Sequence, residues 1–163
     1  DILLGIESSG PHSNGFSLIR KIISESDLNI DEYQHITEMA LKPTHLYPSL
    51  ILNLLSKYKI NGMAHITGGG LTENIPRSIP KNLSVTINKS SWEMPEIFQW
   101  LQKNGNILEE EMFRVFNCGI GMVLIVDKNN SELIQEDIRS LGFKNYIIGE
   151  VTDEGINNPV RYL

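Results

Sequence analysis

Two short stretches of this chain hold the residue types from which a site for anionic oxygens can be built. "HITGGGLTENIPR", His65 to Arg77, runs a short apolar segment into three consecutive glycines and then into a helical pattern. "SSGPHSNG", Ser8 to Gly15, repeats that logic with hydroxyls, an amide and an imidazole added. Glycine loses more backbone entropy on folding than any other residue, so three in a row need a reason. A loop without side chains between a strand and a helix N-terminus lets backbone N–H groups approach an anion closely, and the helix end adds partial positive charge. The alternative is a tight crossover in which strand and helix merely pack close together. Neither G-x-x-x-x-G-K-[ST] nor G-x-G-x-x-G occurs, so neither ordinary nucleotide loop can be invoked. Two such loops in one small domain favour a shared phosphate or nucleotide cleft.

In the first loop the candidate contacts are Ser9, Gly10, Ser13, Asn14 and Gly15. His12 can donate to a phosphate or act in acid–base chemistry, or it is a solvated or capping residue. In the second loop the candidates are Thr67, Gly68, Gly69, Gly70 and Asn74. Arg77 follows them, and its planar fork matches two phosphate oxygens unless Glu73, four residues earlier, takes its charge. His65 reads as a core or loop-bracing residue, and His35 and His45 carry no usable pattern. In "FNCGIGM", Phe116 to Met122, glycines flank Ile120, which suggests a bulge or close backbone approach. Cys118 has no adjacent base to lower its pKa and is expected as a small buried filler. The acidic run Glu109 to Glu111 reads as a solvated helix face or a cation site without fixed geometry. Trp92, Phe98 and Trp100 read as packing, and no metal ligands are assigned.

The elements that must position these residues follow from periodicity and punctuation. Ile2 to Ile6 is a strand, and "FSLIRKIISES" is a helix with Ser13 or Asn14 available as N-cap. A polar excursion from Asp27 to Pro43 carries a short helix around Glu32 to Met39. "YPSLILNLLSKY" is a helix with Pro48 in its first turn. Met63 to Ile66 is a strand, and "LTENIPR" makes a turn or two of helix. "LSVTIN" alternates as a half-buried strand, and "PEIFQWLQKNG" and "LEEEMFRVF" are helices. "GMVLIVD" is a continuous apolar strand expected at the sheet centre. "SELIQEDIRSLG" is a helix capped by Ser131, and "NYIIGEV" is the last strand. Strands and helices interleave without a strict βαβ repeat, which predicts an α+β domain, a mixed β-sheet with helices packed on its faces.

The chain has 163 residues with a formal charge of −6, which fits a single domain, 1–163, and lacks a basic cluster for gripping a phosphate backbone. Nucleic acid and membrane are therefore not expected as partners, and the longest apolar run is too short to cross a bilayer. One cysteine excludes an internal disulfide and a thiolate zinc site. The expected setting is cytoplasmic. The chain opens "DILLGI" without Met, its first strand beginning at Ile2, which is the expectation for a domain cut from a longer polypeptide; a complete protein with its tag removed is the alternative.

"GIESSGPHSNGFSLIRKI", "MAHITGGGLTENIPR", "SSWEMPEIFQWLQKNGNILEEEMFRVFNCGIGM" and "IIGEV" together resemble the C-terminal domain of the aminoimidazole ribonucleotide synthetases, the phosphoribosylformylglycinamidine cyclo-ligases. The resemblance runs from residue 1 to about residue 151. It implies a two-domain enzyme that uses ATP and Mg²⁺ to close the imidazole ring of formylglycinamidine ribonucleotide in purine synthesis. ATP would phosphorylate the formyl amide oxygen, so that attack by the amidine nitrogen expels phosphate. It further implies an N-terminal domain supplying the dimer core and most ATP and metal contacts, so that the fragment alone would not turn over. The full protein would be a homodimer, and this half would hold a phosphoribosyl substrate with His12 as the catalytic residue. Rival expectations are a lobe of the related formylglycinamidine ribonucleotide synthetase and a stand-alone binding module for a phosphate ligand.

Overall fold

The computed structural model describes residues 1–154 and 158–163. β1 (Ile2–Glu7) is apolar on both faces and lies near the middle of the sheet. The chain continues through α1 (Phe16–Glu25), α2 (Ile30–Ala40), α3 (Pro48–Lys57), β2 (Gly62–His65) and α4 (Gly70–Asn74), with a 3₁₀ turn over Ile75–Ser78. Then come β3 (Ser84–Ile87), α5 (Glu96–Asn104), α6 (Glu109–Val115), β4 (Ile120–Val126), α7 (Ser131–Ser140), β5 (Asn145–Thr152) and β6 (Val160–Tyr162). The sheet order is β2-β4-β1-β5-β3-β6, antiparallel except for the parallel β3–β6 pair. The expected mixed sheet with helices on its faces is what forms.

Side-chain alternation along the strands divides the core in two. Leu3, Val123, Ile125, Val85, Ile87 and Ile148 pack with α1, α2, α4, α5 and α6 on one face. Ile2, Leu4, Ile6, Leu124 and Val126 pack with α3 and α7 on the other. This double burial explains why β1 and β4 read as continuous apolar runs rather than alternating ones. The second face is only partly roofed. Ile147, Gly149 and Thr86 line an open cavity of about 720 Å³ there with Ile2, Ser131 and Gln135.

Several boundaries differ from the sequence reading for identifiable reasons. Neither Ser13 nor Asn14 caps α1; its N-cap is Gly15, at φ 77°, without a side-chain bond. A Cβ at Gly15 would stand 2.4 Å from the Phe116 ring, so the position is reserved for glycine by packing as well as conformation. The expected short helix in the polar excursion is the full α2, started by an Asn29–Glu32 capping box. Ser131 lies inside α7 rather than capping it, its hydroxyl donating to the Lys128 carbonyl at 2.7 Å. β3 is more than half buried, because Ser84 is enclosed along with Val85 and Ile87. β5 is not the last strand: β6 adds to the sheet edge, with Leu163 N–H bonded to the Ile87 carbonyl at 2.8 Å.

Candidate functional site

The strand order brings the two glycine loops together. β1 and β2 each pair antiparallel with β4, one on either side, so they run parallel and release their chains at the same end of the sheet. Ile6 and His65 both lie opposite Met122 in register. From there β1 feeds Ser8–Gly15 into α1, and β2 feeds Ile66–Gly69 into α4. The loops meet: a Cβ built on Gly68 would lie 3.6 Å from Oδ1 of Asn14.

The segment that enters β4 from the same end forms the floor between them. Asn117 is its central brace, 3 % exposed. Its Oδ1 accepts from the Ser8 hydroxyl at 2.8 Å and from Gly119 N–H at 2.9 Å, while its amide donates to the Gly10 carbonyl at 2.9 Å. Cys118 and Gly119 turn the chain with φ of 50° and 102°, and Trp92 Nε1 donates to the Cys118 carbonyl at 2.9 Å. Burial pushes the Cys118 thiol well above its usual range, so it is the inert filler its surroundings suggested.

The three glycines of the second loop are not equivalent. Gly69 sits at φ 99° with its carbonyl accepting Glu73 N–H at 3.0 Å, a left-handed turn into α4. Gly70 lies against α6: a Cβ there would stand 2.1 Å from the Phe113 carbonyl oxygen. Gly68 has neither constraint, and a side chain there would project only toward Asn14. Tight crossover and open backbone are thus divided among neighbours, which the sequence left as alternatives. Among the described residues, the N–H groups of Ser13, Gly15, Thr67, Gly68 and Gly69, all in the two converging loops, donate to no protein acceptor.

Asn74 is 6 % exposed and holds the loop rather than facing a ligand. Its amide donates to the carbonyls of Gly70, Gly68 and Thr67 at 2.8, 3.2 and 3.4 Å, and its Oδ1 accepts from the Thr67 hydroxyl. Arg77 is taken up at the surface, 3.7 Å from Glu73, whose carboxylate also meets Arg114. Ser9 spends its hydroxyl on the Pro43 carbonyl at 2.6 Å. Of the candidates outside the backbone set, His12 is therefore the functional group held most distinctively.

His12 has φ 59°, rare for a residue with a Cβ, and is 7 % exposed. Its Nε2 accepts from Ser9 N–H at 3.2 Å, and its buried Nδ1 has no partner among the described residues. Burial, with smaller contributions from His45 and His65, lowers its pKa to about 4. The imidazole is neutral at physiological pH. His65 is exposed rather than a core residue, its ring 5.9 Å from Tyr47, and His45 lies 6.2 Å from the same phenol. His35 pairs instead with exposed Glu96 at 3.1 Å. The acidic run Glu109 to Glu111 is exposed, with Glu109 paired to Lys89.

Tyr47, Asn117 and Gly121 belong to this arrangement and were not singled out as site residues from sequence. Only the glycine spacing around Ile120 hinted at them. Their partners lie 40 and 109 residues away in sequence for Tyr47 and Asn117, a separation no local pattern reports. Among the described residues no group of three or more His, Cys, Asp or Glu side chains is placed to hold a metal ion. The donor set here suits anionic oxygens and does not suit Mg²⁺. Among the same residues, no helix is long and apolar enough to cross a membrane.

A family model described as AIR synthase related protein, C-terminal domain, matches residues 1–160. A phosphoribosylformylglycinamidine cyclo-ligase from Neisseria meningitidis serogroup C is 47% identical over 157 residues, covering 94% of this chain and 46% of that protein. One from Citrifermentans bemidjiense is 50% identical over 155 residues, covering 91% and 44%. The chain thus spans about half the length of these curated relatives. Among solved structures, thiamine-monophosphate kinase from Stenotrophomonas maltophilia superposes with a TM-score of 0.65 at 14% identity, over 99% of this chain and 49% of that one. Escherichia coli HypE superposes with a TM-score of 0.66 at 16% identity, over 99% and 45%. At such identities these two likenesses speak to the fold alone.

Proposed function

The chain belongs to the family of AIR synthase related protein C-terminal domains, and from that premise we propose that it is the substrate-cleft half of an ATP-dependent phosphoribosylformylglycinamidine cyclo-ligase. The observation that carries this reading is the convergence of two glycine loops beside the 3.6 Å approach of Gly68 to Asn14. The whole enzyme would convert formylglycinamidine ribonucleotide to aminoimidazole ribonucleotide, releasing ADP and phosphate in the purine pathway. It would be a cytoplasmic homodimer, with this half docked against its own N-terminal domain.

In this reading the free N–H groups of Ser13, Gly15, Thr67, Gly68 and Gly69 receive the oxygens of a phosphate group, either of the ribonucleotide or of ATP. Backbone donors suit that task because they are fixed before the ligand arrives and need no reorganisation as charge develops. Gly10 and Asn14 shape the first loop, and Gly70, Asn74 and Asn117 keep the second loop and the floor in place. Arg77 stands beside the second loop and would reach a phosphate oxygen only by leaving Glu73. ATP supplies the phosphoryl group that turns the formyl oxygen into a leaving group. Mg²⁺ would be held by the other half of the enzyme, since this chain's described residues offer it no ligand set.

His12 is neutral and buried, so it contributes a hydrogen bond to the reacting oxygen or its phosphate rather than a positive charge. The test is ADP release by the full-length protein with ATP and Mg²⁺, with and without formylglycinamidine ribonucleotide. Substrate-dependent release, matched by formation of aminoimidazole ribonucleotide, is the expected result. A folded full-length protein that releases no ADP on adding the substrate would refute the assignment.

A further inference from the structure

Tyr47, just ahead of α3, is 3 % exposed and lies outside every loop considered so far. Its hydroxyl donates to the Glu7 carbonyl at 2.7 Å, tying the start of α3 to the end of β1, where the His12 loop begins. Its ring neighbours His12, His45 and His65 at centroid distances of 6.1, 6.2 and 5.9 Å, and Phe143 closes another side at 6.0 Å. Gly121 in β4 completes the arrangement. A Cβ there would stand 2.0 Å from the Tyr47 hydroxyl oxygen and 2.7 Å from Cε1 of His12. The phenol and the imidazole therefore share one notch, which exists because position 121 has no side chain.

We propose that Tyr47, seated in the Gly121 notch, is the positioning residue for His12, fixing the imidazole so that Nε2 accepts the Ser9 N–H and the proton resides on Nδ1. The tautomer follows from the hydrogen bond: a neutral imidazole that accepts at one nitrogen donates at the other. The buried Nδ1 then carries an N–H without an acceptor among the described residues, and a buried donor left unpaired is costly. His12 also holds a left-handed backbone conformation that residues with a Cβ seldom adopt. The unpaired Nδ1 N–H is the donor that an acceptor oxygen reaching it would satisfy, while the backbone conformation holds the ring in place for it. Protonation would break the arrangement, because Nε2 could no longer accept from Ser9. The groups facing His12 that bear on its protonation, His45 and His65, add to burial in keeping it neutral. This inference rests on the reading of the Ser8–Gly15 loop as part of the ligand site.

The experiment is nitrogen-15 NMR of histidine-labelled full-length protein, with the His12 signals assigned from a His12→Gln variant, joined to steady-state kinetics of Tyr47→Phe. The wild type is expected to show His12 as a neutral imidazole with the proton on Nδ1 at neutral pH. Tyr47→Phe keeps the ring but removes the bond to Glu7. It is expected to give mixed tautomers and to lower kcat roughly tenfold, with KM for formylglycinamidine ribonucleotide changed less than about twofold. A wild-type His12 protonated on Nε2, or cationic at neutral pH, would overturn the proposal without any variant. So would a Tyr47→Phe protein with unaltered His12 signals and unaltered kcat. If the tautomer and its dependence on Tyr47 are found as expected but His12→Gln turns over normally, the positioning stands and the functional reading of the loop fails.

Discussion

Replacing Gly68 and Gly69 separately by alanine distinguishes a glycine kept for its ligand from one kept for its backbone. At Gly69, φ of 99° puts an alanine in a left-handed conformation, at about 1–2 kcal/mol for a residue with a Cβ. The new methyl would also stand 2.7 Å from Cβ of Glu73, and only part of that side chain can swing away. Reduced freedom of the unfolded chain returns about 0.4–1 kcal/mol, which leaves about 0–1.6 kcal/mol from conformation, and the contact with Glu73 brings the net loss to about 1–2 kcal/mol. For a unit of this size that lowers Tm by about 3–6 °C. Gly68 has no positive φ, and its methyl would meet only Asn14 Oδ1, at an ordinary 3.6 Å. Gly68→Ala should therefore melt within about 2 °C of wild type. Because that methyl stands between the two loops, it should weaken binding of formylglycinamidine ribonucleotide or ATP by about 1.4 kcal/mol, tenfold in KM. Melting curves and KM values for both substrates, measured on the full-length protein, decide the matter. A well-folded Gly68→Ala protein with both KM values unchanged would refute the idea that a ligand occupies the space between the loops. Equal destabilisation by the two substitutions would refute the division of roles.

Three further outcomes follow from particular contacts. Asn74→Ala removes the donor that serves three loop carbonyls and should cost about 2 kcal/mol in thermal or chemical denaturation, with KM raised as the loop loosens. For His12, the folded pKa of about 4 lies below the unfolded value of 6.5, so the unfolded chain binds the extra proton between these limits. Its contribution to stability is present above about pH 6.5 and is lost as pH falls toward 4, about 2 kcal/mol between pH 7 and pH 5. The wild type should accordingly lose more Tm over that interval than a His12→Asn protein, and equal losses would contradict the buried neutral state. Asn29→Ala breaks the α2 capping box and should cost about 1 kcal/mol while leaving kinetic constants unchanged, as measured by melting and steady-state assays.

What the sequence made legible was the part written locally. β1, β4 and the amphipathic helices carry their burial in residue spacing, so their existence and type could be read directly. The left-handed positions at Gly15, Gly69 and Gly70 were legible as punctuation, although sequence could not say that each glycine answers a different constraint. Cap assignments failed where two polar residues precede a glycine: Ser13 and Asn14 are good caps by type, yet packing of Gly15 on Phe116 sets the start of α1. β6 escaped notice because three residues at a sheet edge carry too little pattern. The convergence of the two loops depends on β1 and β2 flanking β4, a matter of strand order that no local signal encodes. For the same reason Tyr47 and Asn117, which hold His12 and the floor, looked like ordinary polar and aromatic residues. Arg77 shows the converse: a residue with the right chemistry in the right stretch, whose guanidinium is taken by Asn74 Oδ1 at 3.5 Å and by Glu73 at 3.7 Å.

The central claim is that the loops after β1 and β2 form one site, and amide chemical-shift mapping of the full-length protein on addition of formylglycinamidine ribonucleotide tests it most directly. The account predicts that amides of Ser13 to Gly15 and of Thr67 to Gly69 shift together, along one saturation curve. Shifts confined to one loop, or centred on the open cavity near Thr86 and Ile147, would contradict it.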